Sequence, residues 1–194
     1  MKKLIIGCWC VFSFLAACEL EDLDKVDLLN LPTGGYMRNI IPRHATLGAP
    51  HIGTLTFSLA ALNAGKIDFT VEAITAEKGT QFSSYDLAVE FRDRTAANGN
   101  NTKALKALKS IPATAYTPDA TSGYPRTSFS VTAAEIMTTL GLTAAEVSTG
   151  DSFEISSTMV MKDGKKFNSV NTDVNITGGA AYNSPFFYRI NVVN

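Results

Sequence analysis

Short stretches in which apolar and polar residues strictly alternate recur along this chain and limit it to sheet. Ile67, Phe69, Val71 and Ala73 are separated by Asp68, Thr70 and Glu72. Leu87, Val89 and Phe91 are separated by Ala88 and Glu90, with Asp86 and Arg92 outside them. Side chains on a strand alternate between faces, so each run makes a half-buried strand with one wet face, suited to an antiparallel sheet. Residues 54–59 read the same way, and Asn63-Ala64-Gly65-Lys66 supplies the turn into the next run. Later, Phe153, Ile155, Met159 and Met161 mark one face of a long strand. Asp163-Gly164 is the tightest hairpin signal, and the return strand begins at residues 165–167. Val170, Thr172, Val174 and Ile176 then alternate with Asn171, Asp173 and Asn175 up to Gly178-Gly179, and residues 187–193 form a last strand.

The period changes once. Thr132-Ala133-Ala134-Glu135 has the form of a capping box, in which the threonine hydroxyl takes one orphan amide and the glutamate reaches back to the cap amide. Ile136, Met137 and Leu140 follow on one side, and Gly141 stops the helix. Thr143-Ala144-Ala145-Glu146 repeats the pattern over one turn. Seven or eight short strands with turn signals between them and one short capped helix predict a mainly β fold, an immunoglobulin-like antiparallel β-sandwich.

The N-terminus constrains location. Met1-Lys2-Lys3, an uncharged apolar run and Leu15-Ala16-Ala17-Cys18 make a secretory leader too short to span a bilayer. The cysteine directly after the small residues marks the processing site of a bacterial lipoprotein. Leu15, Ala16 and Ala17 are then the peptidase recognition residues and Cys18 the lipidated one, so residues 1–17 are the signal peptide. Residues 18–35, with Glu19, Glu21, Asp22, Asp24 and Asp27, are expected to form an acidic flexible tether, and residues 36–194 one sandwich domain.

Cys8, Cys10 and Cys18 are the only cysteines, so the mature domain is expected to hold no disulfide and no thiolate site. Losing Lys2 and Lys3 takes the 17 basic residues to 15 against 18 acidic ones, a formal charge of −3, which argues against nucleic acid. Residues 96–101 are a loop, and 111–125, with Pro112, Pro118 and Pro125, a long one. Lys103, Lys106 and Lys109, spaced by three with Leu105 and Leu108 between, fit either a short basic membrane helix or a surface strand or turn.

The sequence carries few groups suited to chemistry. His44 and His51 lie in no metal-binding helix pattern, and no nucleophile elbow or phosphate-cradling loop occurs. No catalytic residue, metal or cofactor is expected. Two carboxylates among Glu72, Asp86, Glu90 and Glu154 would be the only route to hydrolysis, and alternation places most of them on wet faces. Two ligand-contact sets remain. Asn171, Asp173 and Asn175 would share one side of a strand and could hold a cation or sugar hydroxyls. The loop aromatics Tyr116, Tyr124, Tyr182 and Phe186 could stack on sugar rings or dock on a partner.

The lipidation box, the acidic segment, Gly34-Gly35-Tyr36-Met37-Arg38, Tyr85-Asp86-Leu87-Ala88-Val89, Ile111-Pro112-Ala113, Tyr124-Pro125-Arg126, Gly150-Asp151-Ser152-Phe153 and Ser184-Pro185-Phe186 resemble the small Bacteroidetes surface lipoproteins encoded beside TonB-dependent transporters and their substrate-binding lipoproteins. The resemblance implies a cell-surface accessory protein of an outer-membrane nutrient-uptake complex, with a transporter, a substrate-binding lipoprotein or a glycan as partner. It implies no catalytic residue. An envelope hydrolase using two carboxylates on the sandwich is the competing expectation.

Overall fold

Alternation decides which side of each strand enters the core. The computed structural model describes residues 34–43, 52–95, 98–178 and 182–194, within one compact unit, Gly34–Asn194. The leader, the Leu15–Cys18 box, the acidic segment and both histidines lie outside the described residues. Among the described residues, in chain order, the strands are β1 (Tyr36–Ile41), β2 (Ile52–Ser58), β3 (Lys66–Ile74), β4 (Phe82–Arg92), β5 (Lys103–Pro112), β6 (Thr117–Pro118), β7 (Pro125–Thr132), β8 (Ser152–Met161), β9 (Lys166–Asn168) and β10 (Phe187–Val193), with a two-turn helix, α1 (Ala133–Leu140), between β7 and β8 and a single helical turn, Val174–Thr177, between β9 and β10.

They form two sheets, ordered β1-β3-β7-β6 and β2-β10-β8-β4-β5. Every pairing is antiparallel except that of β2 with β10. Lettered along the chain as immunoglobulin strands, with β1 and β2 as the split first strand, the sheets read ABED and A′GFCC′. The fold is therefore an immunoglobulin-like β-sandwich. Both β9 and β10 use the same edge of β8, β10 along Ser152–Ser156 and β9 beyond it along Thr158–Val160.

The alternating residues meet between the sheets. Phe69, Val71 and Ala73 face Leu87, Val89, Phe91, Phe153, Ile155 and Met159, all buried. Phe69 meets Tyr188 edge-on at 5.1 Å, and Phe153 lies 5.0 Å from Phe91. Each such side chain contributes about 1.5–3 kcal/mol when fully buried. The core also holds a polar bridge. The Tyr85 hydroxyl donates to Ser157 Oγ at 2.8 Å and lies 2.9 Å from the Tyr188 hydroxyl, which donates to Asn39 Oδ1 at 3.0 Å. The bridge ties β1 of one sheet to β4, β8 and β10 of the other, and burial pushes both phenols up in pKa.

α1 begins and ends as its sequence requires. Thr132 Oγ1 accepts from the Glu135 amide at 3.1 Å, and Gly141 takes the left-handed conformation at φ 69° that stops the helix. The reciprocal half of the expected box is used elsewhere, because the Glu135 carboxylate pairs with Lys109 Nζ at 3.0 Å.

Three expectations need correction. The turn expected at residues 63–66 is longer and begins earlier, as a 3₁₀ turn at Leu59–Ala64 that carries the chain from β2 to the opposite sheet. The 111–125 stretch is partly ordered strand: β5 runs to Pro112, β6 follows, and Asp119 Oδ1 gathers the amides of Thr121 and Ser122 into the turn before β7. Residues 170–176 are not a strand but a turn followed by the single helical turn Val174–Thr177. There Asn and Asp side chains take the backbone amides that a ladder would need: Asn168 Oδ1 accepts from Val170 at 2.9 Å, and Asp173 Oδ1 from Asn175 at 2.7 Å.

The lysines take the surface-strand alternative. Residues 103–109 belong to an edge strand and not to a helix, and their period of three comes from two bulges. Leu87, Val89 and Phe91 of β4 pair with Lys109, Lys106 and Lys103, so β5 spends three residues for every two of its neighbour. All three lysines consequently lie opposite core-facing residues. Lys109 Nζ donates to the Ser130 carbonyl at 2.8 Å, Lys106 Nζ reaches the carbonyls of Thr139 and Leu140 at the end of α1, and Lys103 Nζ lies 3.9 Å from Glu146. Cations at a helix C-terminus complement its dipole.

Candidate binding groove

The sheet containing β4 and β8 presents three cross-strand rows on its outer face. Arg189, Glu154 and Glu90 form a charged row. Next to it Phe187, Ser156, Ala88 and Ala107 form a row of mostly small side chains. Asn168, Thr158, Asp86 and Ser110 form a polar row beyond that. β5 lines one margin and the turn after β9 the other. Between them lies a groove of about 420 Å³, floored by the small and polar rows and rimmed by Leu105 and Val170, 53% and 92% exposed.

Its polar groups are partly committed. Ser110 Oγ donates to Asp86 Oδ1 at 2.6 Å, and the other oxygen of that carboxylate has no hydrogen-bond partner among the described residues. Asn168 Oδ1 is taken by backbone amides, which leaves its side-chain NH₂ as a donor. Adjacent strands lie about 4.8 Å apart, so a chain lying across them meets a hydroxyl, amide or carboxylate at each step.

The carboxylates named from the sequence do not converge. Glu72 belongs to the other sheet, and although it projects outward its side chain is 0% exposed. Arg38 Nε donates to its Oε2 at 2.8 Å, Arg126 Nε to its Oε1 at 2.9 Å, and Ser122 Oγ to Oε1 at 2.9 Å. Burial pushes its pKa up, but the hydrogen bonds from Arg38, Ser122 and Arg126 outweigh that and hold the carboxyl below its usual range. Glu154 is also buried rather than wet. It accepts from Arg189 Nε at 2.9 Å and lies within 3.6 Å of Arg92 and Arg94. Glu90 is paired with Arg92 at 2.7 Å, and Asp86 alone of the four lines the groove.

The two ligand-contact sets fare differently. Asn171, Asp173 and Asn175 share no strand face. Asn171 closes a turn through Lys166, and Asp173 caps the helical turn containing Asn175. Of the aromatics, Tyr116 and Phe186 are core residues, Tyr116 packed edge-on against Phe82 at 4.8 Å. Apolar burial drew them inward although both lie between strands. Tyr182 is 39% exposed and meets Tyr36 edge-on at 5.3 Å, and Tyr36 also feels the field of Tyr124. Thus the structure brings Tyr124 and Tyr182 together around Tyr36, which the sequence did not single out because it reads as the first residue of a strand. The groove was equally hidden, since its floor is alanine and serine.

No protein-family model matches the chain, and no curated protein matches it. Among solved structures it is similar to murine CRIg, at 6% identity over 83% of this chain and 99% of that one, with a TM-score of 0.28. It is also similar to AggA, the major subunit of aggregative adherence fimbriae type I from Escherichia coli, at 10% identity over 84% and 95%, again with a TM-score of 0.28. Likeness at that level carries no argument, and the immunoglobulin-like assignment stands on the strand order. Among the described residues no helix is long and apolar enough to cross a membrane, and no group of three or more His, Cys, Asp or Glu could hold a metal ion.

Proposed function

We propose that this chain is a lipid-anchored accessory protein at the surface of the outer membrane, acting by binding or assembly in a nutrient-uptake complex, and that the groove takes a glycan. The groove's chemistry carries the reading. Small side chains let the C–H face of a sugar lie flat on the sheet, while Asp86, Thr158 and Asn168 offer acceptors and donors to hydroxyls along the next row. The spacing between strands is close to the length of one pyranose residue. The Leu15–Cys18 box supplies the anchor, and a transporter or substrate-binding lipoprotein is the protein partner that such a location implies.

Hydrolysis is the less supported reading. It needs two carboxyls flanking one bond and one of them able to hold a proton in apolar surroundings. Glu72 lies on the other sheet, and Glu154 sits among three guanidinium groups. Titration calorimetry of the full mature chain against a panel of neutral oligosaccharides tests the proposal. Binding that is abolished in Ala88→Phe, which fills the groove floor, supports it. Binding to no oligosaccharide, or binding unchanged in Ala88→Phe, contradicts the glycan reading of this groove.

A further inference from the structure

One end of the sandwich gathers the point where the preceding chain joins, the β8–β9 hairpin and the turns that lead into β4 and β7. A Cβ on Gly34 would stand 3.7 Å from the Phe167 ring, and one on Gly35 3.1 Å from the Met159 side chain and 3.2 Å from Thr75. The Lys162 amide donates to the Gln81 carbonyl at 2.8 Å, joining the hairpin to the 76–81 turn, and Lys78 lies over Gly123. Tyr36, Tyr124 and Tyr182 cluster at the same end.

The charges here are unevenly spent. Arg38 and Arg126 are committed to Glu72 and Asp119. That leaves Lys78, Lys162, Lys165 and Lys166, all exposed, against Glu77 and Asp163, four cations to two carboxylates. Glu77 is engaged by Thr80 and Gln81, and Asp163 by Lys165. Over residues 34–194 there are 14 basic and 13 acidic side chains, a balance of +1, so a local excess of two at one end is not the average of the surface.

We infer that this end is a membrane-apposed face whose lysines and tyrosines rest on the anionic headgroups of the bilayer that carries the anchor. The inference rests on the lipid-anchored reading for its setting, but not for its charge chemistry. Fifteen residues, 19–33, separate Cys18 from Gly34. Fully extended at about 3.3–3.6 Å each they reach roughly 50 Å, so the tether alone would let the domain stand well away from the surface. The tether is itself acidic, with Glu19, Glu21, Asp22, Asp24 and Asp27 against Lys25, so the pull toward the surface comes from the basic end of the domain. A lysine near an anionic surface strengthens association by about fivefold, tyrosines favour the boundary between water and lipid, and a tether holds a weakly attracted end at high effective concentration. The groove on the flank of β4 and β8 is then left open to solvent.

The test uses the processed chain, residues 18–194, carrying Cys18→Ser, so that only the domain's own affinity is read. It is mixed with vesicles of phosphatidylcholine alone or of phosphatidylcholine with phosphatidylglycerol, and bound fraction and lysine acetylation are measured. We expect binding to the anionic vesicles alone, weakening with salt, with Lys78, Lys162, Lys165 and Lys166 shielded while Lys66 at the opposite end stays reactive. Lys162→Glu/Lys165→Glu/Lys166→Glu should lower the affinity by about a hundredfold or more with an unchanged melting temperature, and Lys66→Glu should leave it unaltered. Equal binding to both vesicle types, or equal binding by the triple variant and the parent, overturns the inference. Absence of an acyl group on Cys18 in cells, with the vesicle result intact, would instead overturn the anchoring reading.

Discussion

Glu72 on β3 lies directly opposite Arg126 on β7, and with Arg38 on β1 at its other side this outward-facing carboxylate is shut off from water. A charge buried in this way is tolerable only because both its oxygens are claimed. Each arginine stays about one-third exposed and can rehydrate if the pair is broken.

Glu72→Gln should therefore cost about 1–3 kcal/mol, less than the 3–5 typical when a fully buried pair is broken. The pH dependence has a definite sign. The folded carboxyl titrates below its unfolded value of about 4.3, so its contribution is complete above that value and is lost as pH falls through the lower folded one. Thermal melts from pH 6 down to 3 should show the parent losing more stability than Glu72→Gln. Parallel curves would mean that the carboxylate gains nothing from its arginines.

The bulged edge strand makes a separate prediction. Leu108 is the extra residue between Lys109, opposite Leu87, and Ala107, opposite Ala88. Deleting it removes one bulge and turns either Lys106 or Lys109 to the other face, because a slip of one residue exchanges the faces. We expect the deletion to lower the melting temperature and to release the amides of β5 to hydrogen exchange, while Leu108→Ala, which keeps the register, does much less. Equal effects would show that the bulge has no structural role.

Tyr85, Tyr188, Asn39 and Ser157 form one network, so their losses should not add. Tyr188→Phe leaves the Tyr85 hydroxyl and the Asn39 side chain short of a partner and should cost about 1–3 kcal/mol. Tyr85→Phe/Tyr188→Phe should cost less than the two single changes summed. Denaturant melts of the four proteins measure the coupling, and simple additivity would contradict a shared network.

Much of this sandwich can be read from alternation. Ile67 to Ala73, Leu87 to Phe91 and Phe153 to Met161 carry their apolar residues at period two because each strand has one dry face, and Asp163-Gly164 marks a hairpin by local chemistry alone. What alternation could not carry was pairing. Residues 170–176 alternate perfectly, yet β9 and β10 already occupy the neighbouring edge of β8 and local Asn and Asp side chains satisfy the backbone. The lysine triplet has a helical look because a doubly bulged strand advances three residues where its neighbour advances two. Glu72 and Glu154 sit at outward positions, as alternation requires, and are buried by arginines from adjacent strands that sequence spacing does not bring together. The groove was illegible because alanine and serine acquire meaning only when four strands set them in register.

Whether this protein works from a membrane at all turns on Cys18. Metabolic labelling of whole cells with a fatty-acid analogue, followed by recovery of this chain, addresses that directly. The proposal requires label on the parent and none on Cys18→Ala, whose leader should remain uncut or be cut elsewhere. Label persisting on Cys18→Ala, or no label on the parent, would contradict it.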